Sequence, residues 1–156
     1  MIHLLRTSAL LLILPLASCG WWSDPLGHFE GTFSGDESFA AEWEATFGLD
    51  YILLSGEQGF VRFEPMPDVA GRYALGPQRV GRLPAPGDSL FAEAAFRLLT
   101  VESVYYGSTG GFLVFESATD TEVRGSVVMD AVSTREEGRS FRLEGTFVAE
   151  YAEPSY

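Results

Sequence analysis

Alternation of apolar and polar residues near the end of the chain constrains the fold more than any other feature of this sequence. Between residues 140 and 151 the apolar residues and one glycine recur at every second position: Phe141, Leu143, Gly145, Phe147, Ala149 and Tyr151. Polar residues stand between them: Ser140, Arg142, Glu144, Thr146 and Glu150. Successive side chains of a β-strand point to opposite faces. The pattern therefore predicts a strand with one buried and one solvated face.

The same period of two recurs along most of the chain from Phe29 onward. It is clear over residues 29–34, 39–47 and 123–131, and shorter β-like stretches lie at 51–55, 60–64, 71–75, 101–106 and 111–116. Clusters of turn-forming residues separate these stretches, and one cluster predicts a turn at residues 108–111. This spacing predicts an all-β fold, either an antiparallel β-sandwich or a flattened barrel of about eight to nine strands.

Two segments fit a helix as well as a strand. Phe39, Trp43 and Phe47 recur every four residues, yet residues 39–47 also alternate, and we favour a strand there. For residues 89–99, the apolar residues also form a stripe at helical spacing. Both strand and helix stay open for this segment, with the strand preferred.

The inward faces of the predicted strands combine aromatic rings with glycines. The expected core contains Phe33, Phe39, Trp43, Phe47, Phe141 and Phe147. Gly31, Gly125 and Gly145 fall on the same faces, where a missing side chain leaves room for a ring from a neighbouring strand or permits a bulge. With 17 glycines and 13% aromatic residues, the composition favours a strongly coiled sheet filled by Phe.

The start of the chain predicts a leader followed by a lipid attachment site. Arg6 precedes a short apolar run, too short to span a membrane as a helix and typical of a secretory signal peptide. The residues Leu16-Ala17-Ser18-Cys19 then resemble the lipobox of bacterial lipoproteins. The resemblance implies cleavage before Cys19 and acylation of Cys19, for which palmitate is the usual label.

This resemblance divides the chain into three parts. Residues 1–18 are the expected lipoprotein signal peptide, residues 19–28 the lipidated Cys and a short tether, and residues 29–156 the β-domain. Several acyl chains on Cys19 give stable anchoring, so the membrane is the expected partner. Gly20 follows Cys19 and favours the outer membrane over the inner. Within the tether, Trp21 and Trp22 either enter the headgroup interface or pack on the base of the domain.

Charge and cysteine content exclude several classes of protein. The chain carries 22 Asp and Glu against 10 basic residues, all of them Arg, for a net charge of −12. A nucleic-acid-binding protein needs a basic face, so nucleic acid is not an expected partner. One cysteine forms neither a disulfide framework nor a Cys-based zinc site. We therefore expect an acidic, solvated domain in the cell envelope.

Few residues suggest chemistry. Beyond the leader the only histidine is His28, and no nucleophile motif accompanies it. Glu42 and Glu44 point to one face of a predicted strand at a separation near that of glycosidase carboxylates, but they are expected to be two solvated glutamates. Glu116, Asp120 and Glu122 surround one turn and could offer oxygen ligands to Ca²⁺, without the pattern of a calcium loop.

The longest predicted loop, residues 76–88, contains three prolines and three glycines. It also carries Arg79 and Arg82, two of the few basic residues on an acidic chain. Loops of this length are often functional, so a binding role stays open for it. The residue types and their spacing predict no catalytic residue, no metal site and no cofactor.

The order of motifs resembles the small lipid-anchored β-domains of Gram-negative bacteria. The stretches that carry the resemblance are GTF at 31–33, GRYAL at 71–75, YYGSTGG at 105–111, VRGSV at 123–127 and LEGTF at 143–147. The resemblance implies a β-fold and a lipid anchor, and no activity. The expected function is that of a cell-envelope lipoprotein with a non-enzymatic structural or binding role, its protein or glycan partner unknown. The alternative is a ligand-binding β-domain for carbohydrate with Ca²⁺ or for a small apolar molecule.

Overall fold

The computed structural model describes residues 27–36, 38–67, 69–77, 89–96 and 103–152. These residues form nine β-strands and no helix, which confirms the predicted all-β class. The strands are β1 His28–Gly35, β2 Phe39–Phe47, β3 Ile52–Gly56, β4 Gly59–Glu64, β5 Gly71–Gly76, β6 Ser89–Phe96, β7 Val104–Ala118, β8 Glu122–Ser133 and β9 Ser140–Tyr151.

The nine strands close into one barrel, in the order β1-β2-β3-β4-β6-β5-β7-β8-β9. The strand spacing predicted either a sandwich or a barrel, and the structure is a barrel. Most neighbours pair antiparallel, but β5 pairs parallel with β6, and β2 pairs parallel with β9. Among the nine described strands, closure leaves no strand at a sheet edge, which is how barrels avoid edge-to-edge aggregation.

Two strands are inserted as wedges that separate their neighbours over part of their length. Strand β1 lies between β2 and β9, which pair directly only beyond its start, through Thr46–Glu150 and Phe47–Tyr151. Strand β5 likewise lies between β6 and β7, which pair directly from Glu93–Gly107 onward.

Gly27 lies at the start of the first wedge. Its φ of 58° is in the left-handed region, which glycine adopts at little cost. A Cβ at this position would lie 2.5 Å from the carbonyl oxygen of Val148 and closer still to that of Ala45. Glycine therefore lets the chain enter between β2 and β9.

The interior of the barrel is one packed apolar cluster. The predicted inward faces are the buried ones: Phe29 and Phe33 of β1, Ala41 to Phe47 at alternate positions of β2, Val123 to Ala131 of β8 and Phe141 to Ala149 of β9 all follow the period of two. Phe33 stacks on Phe39 with ring centroids 4.7 Å apart and tilts against Trp43 at 4.9 Å. The predicted Phe-rich core is confirmed for Phe33, Trp43, Phe47, Phe141 and Phe147, whereas Phe39 is half-buried and packs against it.

The inward glycines make the space that these rings fill. Gly31 and Gly145 face each other across β1 and β9, and the ring of Phe29 lies over both. The ring of Phe147 lies over Gly125 in the same manner, 2.8 Å from where a Cβ would stand. The sequence pattern predicted this arrangement, in which an inward glycine leaves space that a nearby aromatic ring fills.

The turn predicted at residues 108–111 is wrong. These residues lie inside β7, which runs unbroken for 15 residues, so the stretches expected as two strands belong to one. The register with β8 shifts between Ser108 and Gly110, and Gly111 has a φ of 105°. Glycine-rich turns and β-bulges use the same residues, which is why the pattern indicated a turn where the strand only kinks.

Both ambiguous segments contain strands. Residues 39–47 form β2, as favoured, and residues 89–96 form β6, whereas residues 97–99 lie outside the described part of the chain. Within the described ranges, no helix has the length and apolar character needed to cross a bilayer.

Candidate functional site: a groove on the outer wall

Several residues singled out in the sequence lie outside the described ranges. Among them are Cys19, the two tether tryptophans Trp21 and Trp22, and the loop arginines Arg79 and Arg82. The lipid attachment and the loop binding role therefore stay predictions.

Glu42 and Glu44 are exposed on the outer face of β2, where they were expected as solvated groups. Glu42 stands directly opposite Glu30 of β1, and exposed His28 lines the same surface hollow of about 430 Å³. Like charges placed opposite each other destabilise a sheet pair unless water screens them, and both Glu30 and Glu42 are solvent-exposed. The hollow is open, and its carboxylates face water.

The turn that joins β7 to β8 is held by hydrogen bonds of Thr119. Its hydroxyl accepts the backbone N–H of Glu122 at 3.0 Å and that of Thr121 at 3.4 Å. The carboxylate of Glu122 accepts a hydrogen bond from Arg124 Nε at 2.6 Å, and this bond lowers the pKa of Glu122. In the described residues, no three His, Cys, Asp or Glu side chains are arranged to hold a metal ion.

An apolar depression made of several adjoining hollows lies elsewhere, on the outer wall formed by β3, β4, β6 and β7. Two adjoining hollows of about 560 and 240 Å³ share Phe60 and Glu93. A third, of about 220 Å³, shares Tyr51 and Arg62 with the first. We call the continuous depression the outer groove; its lining side chains are Tyr51, Leu53, Phe60, Arg62, Phe91, Glu93 and Tyr105.

Strand register brings these side chains together. Phe60 pairs with Ala95, and Ala95 pairs with Tyr105, so the two rings lie in one row with an alanine between them. Ala95 faces outward yet is only 6% exposed, because larger side chains flank it on both sides. Tyr105 itself is 42% exposed.

A second row crosses the middle of the outer groove. Arg62 stands opposite Leu53 on one side and opposite Glu93 on the other. Gly107 continues this row beyond Glu93 and adds no side chain to it. The polar side chains of Arg62 and Glu93 thus lie in the middle of the outer groove, between apolar side chains at its two ends.

Arginines cover two of the tyrosines. The guanidinium of Arg62 lies 4.6 Å from the ring centroid of Tyr51, and that of Arg135 lies 4.6 Å from that of Tyr105. Such cation–π contacts hold a guanidinium flat against a ring. Arg62 Nε also lies 2.5 Å from Glu64 Oε1 as an ion pair, although that nitrogen makes no well-formed hydrogen bond.

The wall of β8 and β9 has a different chemistry. Arg142 bridges Asp130 and Glu144, and hydrogen bonds to both carboxylates raise its pKa. Arg139 joins Asp36 to Glu136 at 3.2 and 2.9 Å. We call this surface the ionic wall; its members are Asp36, Glu122, Arg124, Asp130, Glu136, Arg139, Arg142 and Glu144. The barrel therefore presents one ionic and one aromatic side.

The outer groove was not predicted from the sequence, although apolar runs in three of its strands are a weak signal for it. In a half-buried strand an apolar outward residue interrupts the alternation and produces three apolar residues in a row. Such runs occur at 52–54, 90–92 and 104–106, whose middle residues Leu53, Phe91 and Tyr105 line the groove. They occur also at 113–115, 127–129 and 147–149, whose middle residues do not, so the runs alone do not locate it.

Comparison of the chain with protein-family models, with curated proteins and with solved structures finds no match.

Proposed function

We propose that this protein is a non-enzymatic, lipid-anchored binding module of the cell envelope, and that the outer groove is its binding surface. The observation that carries the proposal is a cluster of half-exposed rings around Arg62 and Glu93 on an otherwise strongly charged barrel. Contiguous exposed apolar surface on a soluble domain usually marks an interaction site. The anchor rests on the lipobox-like residues that end at Cys19.

The packed interior supports a surface ligand over an enclosed one. Small barrels hold a ligand only when their inward side chains leave space, whereas here Tyr73, Leu90, Leu113 and Met129 are fully buried in one cluster. This weakens the alternative of a small apolar ligand inside the barrel. Since Glu122 is engaged by Arg124, the calcium-assisted alternative also loses a carboxylate.

In vivo photo-cross-linking tests the binding surface. A benzophenone amino acid replaces Tyr105 in the outer groove, and in a matched protein it replaces Phe112, an outward aromatic residue beneath Arg72 on another part of the barrel. We expect a defined adduct with an envelope component from position 105 and none from position 112. Equal adducts at both positions, or none at either, would contradict the proposal.

A further inference from the structure

We propose that the outer groove binds an uncharged polysaccharide chain, laid across strands β4, β6 and β7. This inference rests on the proposed binding function and names the class of ligand. It is carried by three properties of the groove: the placement of its rings, the polar groups between them and its charge balance.

Phe60 and Tyr105 are the rings that a sugar face would contact, with Arg135 already lying over one face of Tyr105. Phe60 and Tyr105 stand in one row, two strands apart, which places their backbones about 10 Å from each other. That separation is close to the length of two sugar rings in an extended chain. The C–H faces of a pyranose are apolar and stack on aromatic rings, whose faces are electron-rich. Ala95 between the two rings keeps the platform low.

The polar groups suit hydroxyl ligands. Arg62 and Glu93 are directly opposite each other on neighbouring strands, and Thr134 lines the end of the groove near Tyr105. Together they supply donors and acceptors in fixed places between apolar surfaces. A few placed polar groups in an apolar depression are the usual means by which a site orients its ligand.

The charges of the chain and of the groove favour an uncharged ligand. The chain as a whole carries −12, and a field of that sign repels polyanions. The charged side chains that line the three hollows are two arginines, Arg62 and Arg135, and two carboxylates, Asp50 and Glu93, so their charges cancel. A cationic ligand gains little electrostatic attraction from a groove with no net charge, and the acidic surface around the groove repels an anionic ligand. The same repulsion opposes pairing of two copies of this chain.

Binding of defined oligosaccharides to the purified full-length protein in detergent micelles tests the inference. The probes are two neutral β-linked hexamers, cellohexaose and chitohexaose, with hexagalacturonate as the anionic comparison, each titrated by calorimetry. We expect binding of at least one neutral hexamer and none of the anionic one. Loss of a stacking ring in Phe60→Ala or Tyr105→Ala should weaken that binding about tenfold.

Two further variants separate binding from folding. Phe112→Ala removes a ring outside the groove, and its affinity should equal that of the unmodified protein. Gly107→Leu adds a side chain directly beside Glu93 of the groove, at a position where a Cβ would meet only ordinary contacts at 3.6 Å and beyond. It should therefore block the ligand while the melting temperature stays near that of the unmodified protein.

The outcomes distinguish this inference from the proposed function. Three outcomes would each overturn the proposed polysaccharide ligand. They are failure of both neutral hexamers to bind, stronger binding of hexagalacturonate, and binding that is unchanged in Phe60→Ala, Tyr105→Ala and Gly107→Leu. A protein adduct at position 105 in cells would also overturn it, and would leave the groove as a binding surface. Absence of both adduct and oligosaccharide binding would overturn both statements.

Discussion

At the scale of single residues, Ser108 holds the place where β5, β6 and β7 meet. Its side chain is 1% exposed. The hydroxyl donates to the carbonyl of Gly76 at 2.7 Å and accepts the N–H of Ala92 at 3.0 Å. Gly76 is the last residue of β5, and beyond it β6 and β7 pair directly. Ser108 thus satisfies two backbone groups that the end of the wedge would otherwise leave unpaired.

Ser108→Ala should lower the free energy of unfolding by about 1–3 kcal/mol or more, because it leaves a buried N–H and a buried carbonyl without partners. Urea unfolding followed by circular dichroism measures the loss. Thr109→Ala is the matched control, since the Thr109 hydroxyl bonds to Asp130 at an exposed position; its effect should stay within about 0.5 kcal/mol. Equal effects of the two changes would contradict the assigned role.

The exposed pair of Glu122 and Arg124 gives a pH dependence of known sign. The hydrogen bond from Arg124 lowers the pKa of Glu122 in the folded protein. A lowered folded pKa contributes stability above the unfolded value, about 4.3, and this contribution is lost as pH falls through the folded pKa. Because both side chains are exposed, the contribution is small.

Arg124→Gln should therefore raise the pKa of Glu122 toward the ordinary value of a glutamate. NMR titration of the Glu122 carboxyl carbon measures this shift directly. The same substitution should reduce the stability lost between pH 5 and pH 3 by a small amount. An unchanged Glu122 titration in the variant would show that the hydrogen bond does not form in solution.

At the scale of the strands, close approach of β1 and β9 depends on facing glycines. A Cβ on Gly145 would lie 2.5 Å from the carbonyl oxygen of Glu30 and 2.5 Å from the ring of Phe29. A side chain can rotate away, but a backbone oxygen of the paired strand cannot move without breaking the ladder. Space at this position is thus a requirement of the pairing itself.

Gly145→Ala should cost about 1–3 kcal/mol or more, in the range of overpacked cores. Gly110→Ala serves as the control, because the nearest atom to its Cβ would be Asp130 Oδ2 at 3.9 Å. Thermal unfolding compares the two variants. A melting temperature of Gly145→Ala as high as that of Gly110→Ala would refute the register of β1 against β9.

Much of this strand architecture is readable from the sequence, for a physical reason. The buried faces of β2, β8 and β9 follow from alternation alone, because a strand side chain can only face in or out. Continuity of β7 does not follow, since Gly110 and Gly111 suit a bulge as well as a turn. The outer groove does not follow either: Phe60, Glu93 and Tyr105 are distant in the chain, and only cross-strand register unites them.

At the scale of the whole molecule, the rings Phe60 and Tyr105 and the chain entry point lie at opposite ends of the barrel, while the third hollow of the groove, lined by Tyr151, reaches the entry rim. The entry rim contains Gly27 and the end of β9 at Tyr151, while the turns between β3 and β4 and between β8 and β9 form the far rim. Phe60, Tyr105 and Arg135 lie toward the far rim. If the tether ahead of Gly27 leads to a lipid, Phe60 and Tyr105 lie at the end of the barrel away from the bilayer.

Cys19→Ser should abolish lipid attachment, because the hydroxyl of serine does not replace the thiolate as the alkylated nucleophile. Metabolic labelling with radioactive palmitate, followed by immunoprecipitation, measures this loss. Ser18→Ala keeps a small residue before the cleavage position and should keep its label. Full labelling of Cys19→Ser would refute the anchor, with no bearing on the barrel.

The insertion of β1 between β2 and β9 also decides how the barrel responds to force. Its ladder hydrogen bonds run across the strand axis, and it is paired on both sides, through Phe29–Phe33 on one and His28–Gly35 on the other. A pull on the chain ahead of Gly27 loads these bonds in shear, so that they must rupture together instead of unzipping one after another. A barrel tethered at this strand and held by a ligand at its side would resist mechanical extraction.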